Sequence, residues 1–123
     1  GRRIALLAVG STVNTGERVW KTLRDRGEEV TFVNMRFVKP FDTELLDELA
    51  QDHSLFVTME ENVQSGGFGE HVAAYMQKHH PGTTVEIVAI GDCFVEQGDV
   101  ENWKKKLGLD AESVLNRIEE WEQ

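Results

Sequence analysis

Four short apolar runs, separated by stretches of helical character, constrain this chain more than any other feature. They are IALLAV (residues 4–9), EVTFVNM (29–35), SLFVTME (54–60) and TTVEIVAI (83–90). Runs of this length, rich in β-branched and aromatic residues, read as strands, and IALLAV has the unbroken apolar character of a strand covered on both faces. Strands that alternate with helices need crossover connections, which predicts a mostly parallel sheet between two helical layers, a three-layer α/β/α unit. In such sheets ligands gather at the carboxyl ends of the strands, where the strand order reverses. Four segments occupy that end: GSTVN, MRFVKPFD, MEENVQSGGFG and GDCFVEQGD.

The helices carry recognisable punctuation. The first is expected from about Thr15 to Arg26, with Val19, Trp20 and Leu23 on one side and Gly27 as its stop. Gly10 makes the preceding turn, and Ser11, Thr12 and Asn14 are candidate caps. Pro40 disfavours helix at Lys39, and Asp42 is placed to cap a helix through Leu45, Leu46, Leu49 and Ala50. FGEHVAAYMQKHH is a helix ended by Pro81 and Gly82. Two amphipathic helices are expected to close the chain. One carries Val100, Trp103 and Leu107; the other starts near Asp110 and carries Val114, Leu115, Ile118 and Trp121.

Length and charge narrow the function classes. The 123 residues fit one domain. No apolar run approaches the roughly 20 residues of a membrane-spanning helix, and no secretory leader is recognisable, so a membrane partner is not expected. Cys93 is the only cysteine, which rules out an intrachain disulfide and fits a cytoplasmic location. A formal net charge of −9 repels polyanions, so nucleic acid is not an expected partner.

Few residues suggest chemistry. Gly10-Ser11-Thr12 lies between a strand and a helix, where free N–H groups suit an anion, but no Gly-Lys-Ser/Thr follows to make a Walker motif. Ser65-Gly66-Gly67-Phe68-Gly69 occupies the same kind of junction. It is not GxGxxG, and it lacks the acidic residue about 20 positions on that a dinucleotide site uses. A turn that packs the helix against the sheet or a neighbouring domain is the expected reading, with Gly67 at positive φ. Glu60 and Glu61 are adjacent on a strand and so point to opposite faces, one toward the crevice and one toward the backbone of the glycine turn. His53, His71, His79 and His80 do not form a ligand set by spacing, and Cys93 has no activating partner in sequence. Arg36 and Lys39 flank Phe37 and Pro40 in a carboxyl-end loop and are candidates for an interdomain ion pair or a phosphate contact. A stand-alone module using GSTVN and SGGFG as anion nests is one consistent reading.

Three segments in order, VNMRFVKPFD, LFVTMEENVQSGGFGEHVA and GDCFVEQGD, resemble the C-terminal domain of the transketolase family. RFVKPFD and the F-V-E-x-G piece at Phe94 to Gly98 favour its 1-deoxy-D-xylulose-5-phosphate synthase branch over transketolase itself and the two-oxoacid dehydrogenase β subunits. The resemblance runs from Ile4 to about Ile118. It implies a mostly parallel five-stranded domain, with the fifth strand in the extended crossover or at a chain end. It also implies that residues 1–123 are one domain of a larger, three-domain enzyme. That enzyme uses thiamine diphosphate and Mg²⁺ to condense pyruvate with glyceraldehyde 3-phosphate. Catalytic, cofactor and metal residues are expected in the other domains, and none of those groups is expected to bind this domain alone. The implied partners are the other domains of the same chain and a second copy. Candidate interface or anion-contact residues are Ser11, Arg36, Lys39, Glu60, Glu61, Asn62, Gly66, Gly67 and Asp92.

Overall fold

A computed structural model describes residues 3–35, 42–61, 67–90 and 100–122, leaving the side chains of Ser11, residues 100–109 and Glu122 outside the description. The four apolar runs form β1 (Ile4–Ala8), β2 (Val30–Asn34), β3 (Leu55–Glu61) and β4 (Thr84–Ile90). All pairings are parallel and the order is β2-β1-β3-β4. β1 and β3 are the inner strands; β1 is buried throughout, and β3 is buried from Leu55 to Glu60. The unbroken hydrophobicity of β1 reflects a helix layer on each face.

Alternation along the strands sorts the core into two halves. Ile4, Leu6 and Ala8 of β1 and Leu55, Val57 and Met59 of β3 face α1 (Val13–Asp25) and α4 (Val100–Glu122), meeting Val19, Leu23, Val114 and Ile118. Ala5, Leu7 and Phe56 face α2 (Thr43–Ala50) and α3 (Phe68–His79), meeting Leu46, Leu49, Val72 and Met76. This is the expected three-layer arrangement. Four strands make the sheet among the described residues. The fifth strand is not among them, and the crossover at residues 36–41, one place expected for it, lies outside the description.

The helix ends follow local chemistry. α1 stops at Gly27, with φ +87°; Gly27 N–H donates to the Arg24 carbonyl and Glu28 N–H to that of Leu23. This Schellman pairing satisfies carbonyls that the helix cannot. Asp42 caps α2 as expected, its Oδ1 accepting from Leu45 N–H at 3.1 Å.

Two expectations are corrected. α1 begins at Val13, directly after a 3-10 turn at Gly10–Thr12, and not at Thr15. The chain closes with one helix of 23 residues instead of two. Gly108 lies inside it and weakens the helix by only about 1 kcal/mol relative to alanine, without the steric break a proline would bring. Asp110 is therefore an interior residue of α4, not a cap, and burial of Ala111, Val114 and Ile118 holds the C-terminal half on the sheet.

His53 fastens an edge that sequence reasoning left bland. Its Nδ1 lies 2.8 Å from both the Leu49 carbonyl and Asp52 Oδ1, so it carries the proton. Nε2 meets the Thr31 hydroxyl on β2 at 2.8 Å. One buried ring thus links the end of α2 to the edge strand.

Candidate functional site

β1 connects outward to β2, and the chain then crosses back to β3 and on to β4. The strand order reverses between β1 and β3, which places the crevice at their carboxyl ends. Two strand–turn–helix junctions meet there.

At the first, Gly10 adopts φ +61° and the chain turns through Gly10–Thr12 into α1. Thr12 N–H donates to the Val9 carbonyl and Val13 N–H to that of Gly10, so the 3-10 turn uses donors a helix start would leave open. The Thr12 hydroxyl does not cap α1. It is fully buried and reaches the carbonyls of Val9 at 2.6 Å and, across the strands, Met59 at 2.9 Å. Two backbone acceptors at the strand ends outcompete the cap, since a buried carbonyl without a donor is costly. Val9 N–H also donates to Met59 O at 3.1 Å, which zips β1 and β3 together past the end of β1.

At the second junction Gly67 stands at φ +82° in the N-cap position of α3 and offers no side-chain cap. The missing acceptor comes from the preceding strand. Glu60 Oε1 accepts from Gly69 N–H at 3.3 Å, and Glu60 is only 6% exposed. A carboxylate beside the first turn is favoured by the helix dipole as well as by the hydrogen bond.

Glu61 points to the other face, as alternation requires, and its Oε1 lies 3.1 Å from where a Cβ on Gly10 would stand. The two expected anion nests thus each have a carboxylate of this chain beside them. That arrangement disfavours an added phosphate on electrostatic grounds.

Each helix presses on the sheet through a glycine. A Cβ at Gly16 of α1 would come within 2.7 Å of Phe32 Cε1 and 3.2 Å of Ala8 Cβ. A Cβ at Gly69 of α3 would come within 2.6 Å of both Ile87 Cγ2 and Thr58 Oγ1. Real Cβ contacts are not this short, so both glycines set the helix–sheet distance. The expected packing role of SGGFG is met at Gly69, the last residue of the motif.

Of the residues named from sequence, the structure brings Glu60, Glu61 and Gly67 to this end of the sheet and includes the backbone of Ser11 in the turn. Arg36, Lys39, Asn62, Gly66, Asp92 and Cys93 lie outside the described residues. Thr12, Thr58 and Gly69 were missed as site residues. Thr12 left a signal, as a hydroxyl beside a turn glycine, but it pointed to the wrong partner; Gly69 left one as part of SGGFG, and Thr58 left none.

His53 and His80 take structural places. His80 Nε2 and Tyr75 OH both meet Asp47 Oδ1, at 2.7 and 2.8 Å, tying α3 to α2. The hydrogen bonds from His80 and then Tyr75 hold the Asp47 carboxyl below the usual carboxylate range. The bond to Asp47 pushes the Tyr75 phenol up. Among the described residues no three His, Cys, Asp or Glu side chains could hold a metal ion. No described helix is long and apolar enough to cross a membrane. In the described part of the crevice, the carboxylates of Glu60 and Glu61 already adjoin the two glycine turns.

The comparison with known families decides the relationship: the family model described as transketolase, C-terminal domain, matches residues 1–114. This chain belongs to the transketolase C-terminal domain family. Among sequence relatives of this transketolase-type domain, a 1-deoxy-D-xylulose-5-phosphate synthase of Lachnoclostridium phytofermentans is 47% identical over 116 residues, 94% of this chain and 19% of the relative. A synthase of the same name from Pectobacterium atrosepticum is 39% identical over 98% of this chain and 19% of its own length. The domain therefore spans about a fifth of the length of the curated relatives it matches, consistently 19% in these two. Among solved structures, a split gene transketolase described as an inactive beta4 tetramer superimposes with a TM-score of 0.73 at 30% identity, covering 98% of this chain and 39% of that one. The resemblance carried by RFVKPFD and VTMEENVQSGGFGEHV thus extends through almost the whole chain.

Proposed function

We propose that this domain is the C-terminal part of a 1-deoxy-D-xylulose-5-phosphate synthase. The full-length enzyme would condense pyruvate with glyceraldehyde 3-phosphate and release CO₂, a transketolase-type transfer feeding isoprenoid precursor synthesis. One observation carries the reading: 47% identity to a synthase over 94% of this chain, against only 19% of that relative's length. Thiamine diphosphate with Mg²⁺ would supply the decarboxylation chemistry in the full-length, cytoplasmic enzyme. Segments beyond this chain would hold both groups.

The role of this domain is assembly. It packs against the other domains of its own polypeptide and helps form a homodimer. The crevice edge supplies the contact surface, with Ser11, Arg36, Lys39, Glu60, Glu61, Asn62, Gly66, Gly67 and Asp92 as the residues to test. The synthase name on the sequence relatives supports this over a transketolase or a two-oxoacid dehydrogenase β subunit. Carboxylates beside both glycine turns argue against a stand-alone anion-binding module.

The complete open reading frame should yield 1-deoxy-D-xylulose 5-phosphate from the two substrates, thiamine diphosphate and Mg²⁺. A full-length product that transfers two-carbon units between sugar phosphates but does not decarboxylate pyruvate would overturn the synthase reading. The isolated domain should give no saturable heat when titrated with thiamine diphosphate and Mg²⁺. Tight binding there would overturn the division of labour.

A further inference from the structure

Two buried polar atoms remain after the bonds at the β3–α3 junction are assigned. Glu60 Oε2 and Thr58 Oγ1 are both buried and have no hydrogen-bond partner among the described residues. Thr58 is 0% exposed and Glu60 6%. They lie two residues apart on β3, so both project from the same face, toward α3. Both residues also border the same point above Gly69, where a Cβ would stand 2.6 Å from Thr58 Oγ1 and 3.0 Å from Glu60 Oε1. Neither atom bonds the other.

The geometry points to a site for one internal water molecule that bridges Glu60 Oε2 and Thr58 Oγ1. The carboxylate oxygen can only accept, so its partner must donate. The hydroxyl can donate or accept. Water meets both demands at once, giving one proton to Oε2 and accepting from, or donating to, the hydroxyl. A metal cation fits less well, because the α3 N-terminus and the Gly69 N–H place partial positive charge beside the same carboxylate. An anion is repelled by Glu60 itself. The water completes the carboxylate that caps α3, so Glu60 can hold the helix start with one oxygen without leaving the other bare.

The test uses the complete polypeptide that contains this chain. A high-resolution crystal structure should contain a density peak within hydrogen-bond distance of both atoms, and the Thr58→Val variant should lose it. Direct bonding between the two side chains overturns the proposal. So does a group from residues 62–66 in that place, a peak with the many short oxygen contacts of a cation, or no peak. Melting gives an independent readout. Thr58→Val keeps the shape but removes the hydroxyl, so loss of the bridge should lower the melting temperature by a few degrees. An equal or higher value means that the hydroxyl is simply unpaired, and it overturns the proposal, because removing an unpaired buried polar group is neutral or stabilising.

Discussion

The β1–α1 and β3–α3 junctions are neighbours at the switch point and solve one problem in two ways. Each turns on a glycine at positive φ, Gly10 or Gly67, and each sends out a helix that meets the sheet through a glycine, Gly16 or Gly69. They differ in what satisfies the backbone. At the first, a 3-10 turn uses the early N–H groups, and the Thr12 hydroxyl serves the carbonyls of Val9 and Met59. At the second, the N-cap residue Gly67 brings no side-chain acceptor, and a strand carboxylate, Glu60, supplies one. At the first junction the described N–H donors of the turn are met by backbone carbonyls. The second depends on a buried carboxylate held by the strand before it. The two junctions therefore differ in their sensitivity to substitution.

The largest effect is expected at the helix–sheet contacts. Gly69→Ala should cost about 3 kcal/mol, since the new methyl meets Ile87 and Thr58 in the packed layer. Gly16→Ala should cost only about 1 kcal/mol, because the half-buried Phe32 ring on the edge strand can yield and alanine is the better helix former. Denaturant unfolding of both variants measures the difference, and equal losses would break the asymmetry between the two helices.

Thr12→Val comes next. It removes the hydroxyl that bonds two strand-end carbonyls and should lower stability by about 2 kcal/mol. Amide hydrogen exchange should then speed up at Val9, which donates to Met59. A variant as stable as the parent would mean that the cross-strand bonds are incidental.

Gly67→Val should cost roughly 1–2 kcal/mol, because a side chain at φ +82° is strained even where there is space. An unchanged melting temperature would remove the backbone argument for this turn.

The smallest effect lies at the other end of α3, where Asp47 holds His80 and Tyr75. The Asp47 carboxyl titrates below its ordinary 3.8 in the folded chain, so its contribution is present above that value and fades as pH falls through the lower folded value. Wild type should therefore lose more stability than Asp47→Asn as pH drops below about 4. Parallel pH profiles would show that this tie is idle.

Much of the fold was legible because it rests on period and punctuation. The strands read from β-branched runs, and the stops at Gly27 and Pro81 and the cap at Asp42 read from residues with a single local preference. Where a residue had two possible partners, local reading failed. Thr12 looked like a cap and instead serves a carbonyl 47 positions away. Asp110 looked like a helix start, yet burial farther along α4 carries the helix through.

The sequence by itself determined the alternation of strand and helix, the two-sided core, the opposite facing of Glu60 and Glu61, and the kinship carried by RFVKPFD and VTMEENVQSGGFGEHV. These follow from periodicity and from local motifs, which short-range sterics enforce. Only the tertiary structure decided which glutamate serves α3, which glycines set the helix–sheet distance, and which carbonyls the Thr12 hydroxyl meets. Each of those choices is a competition between partners brought together by strand order. A linear sequence does not contain the distances that settle it.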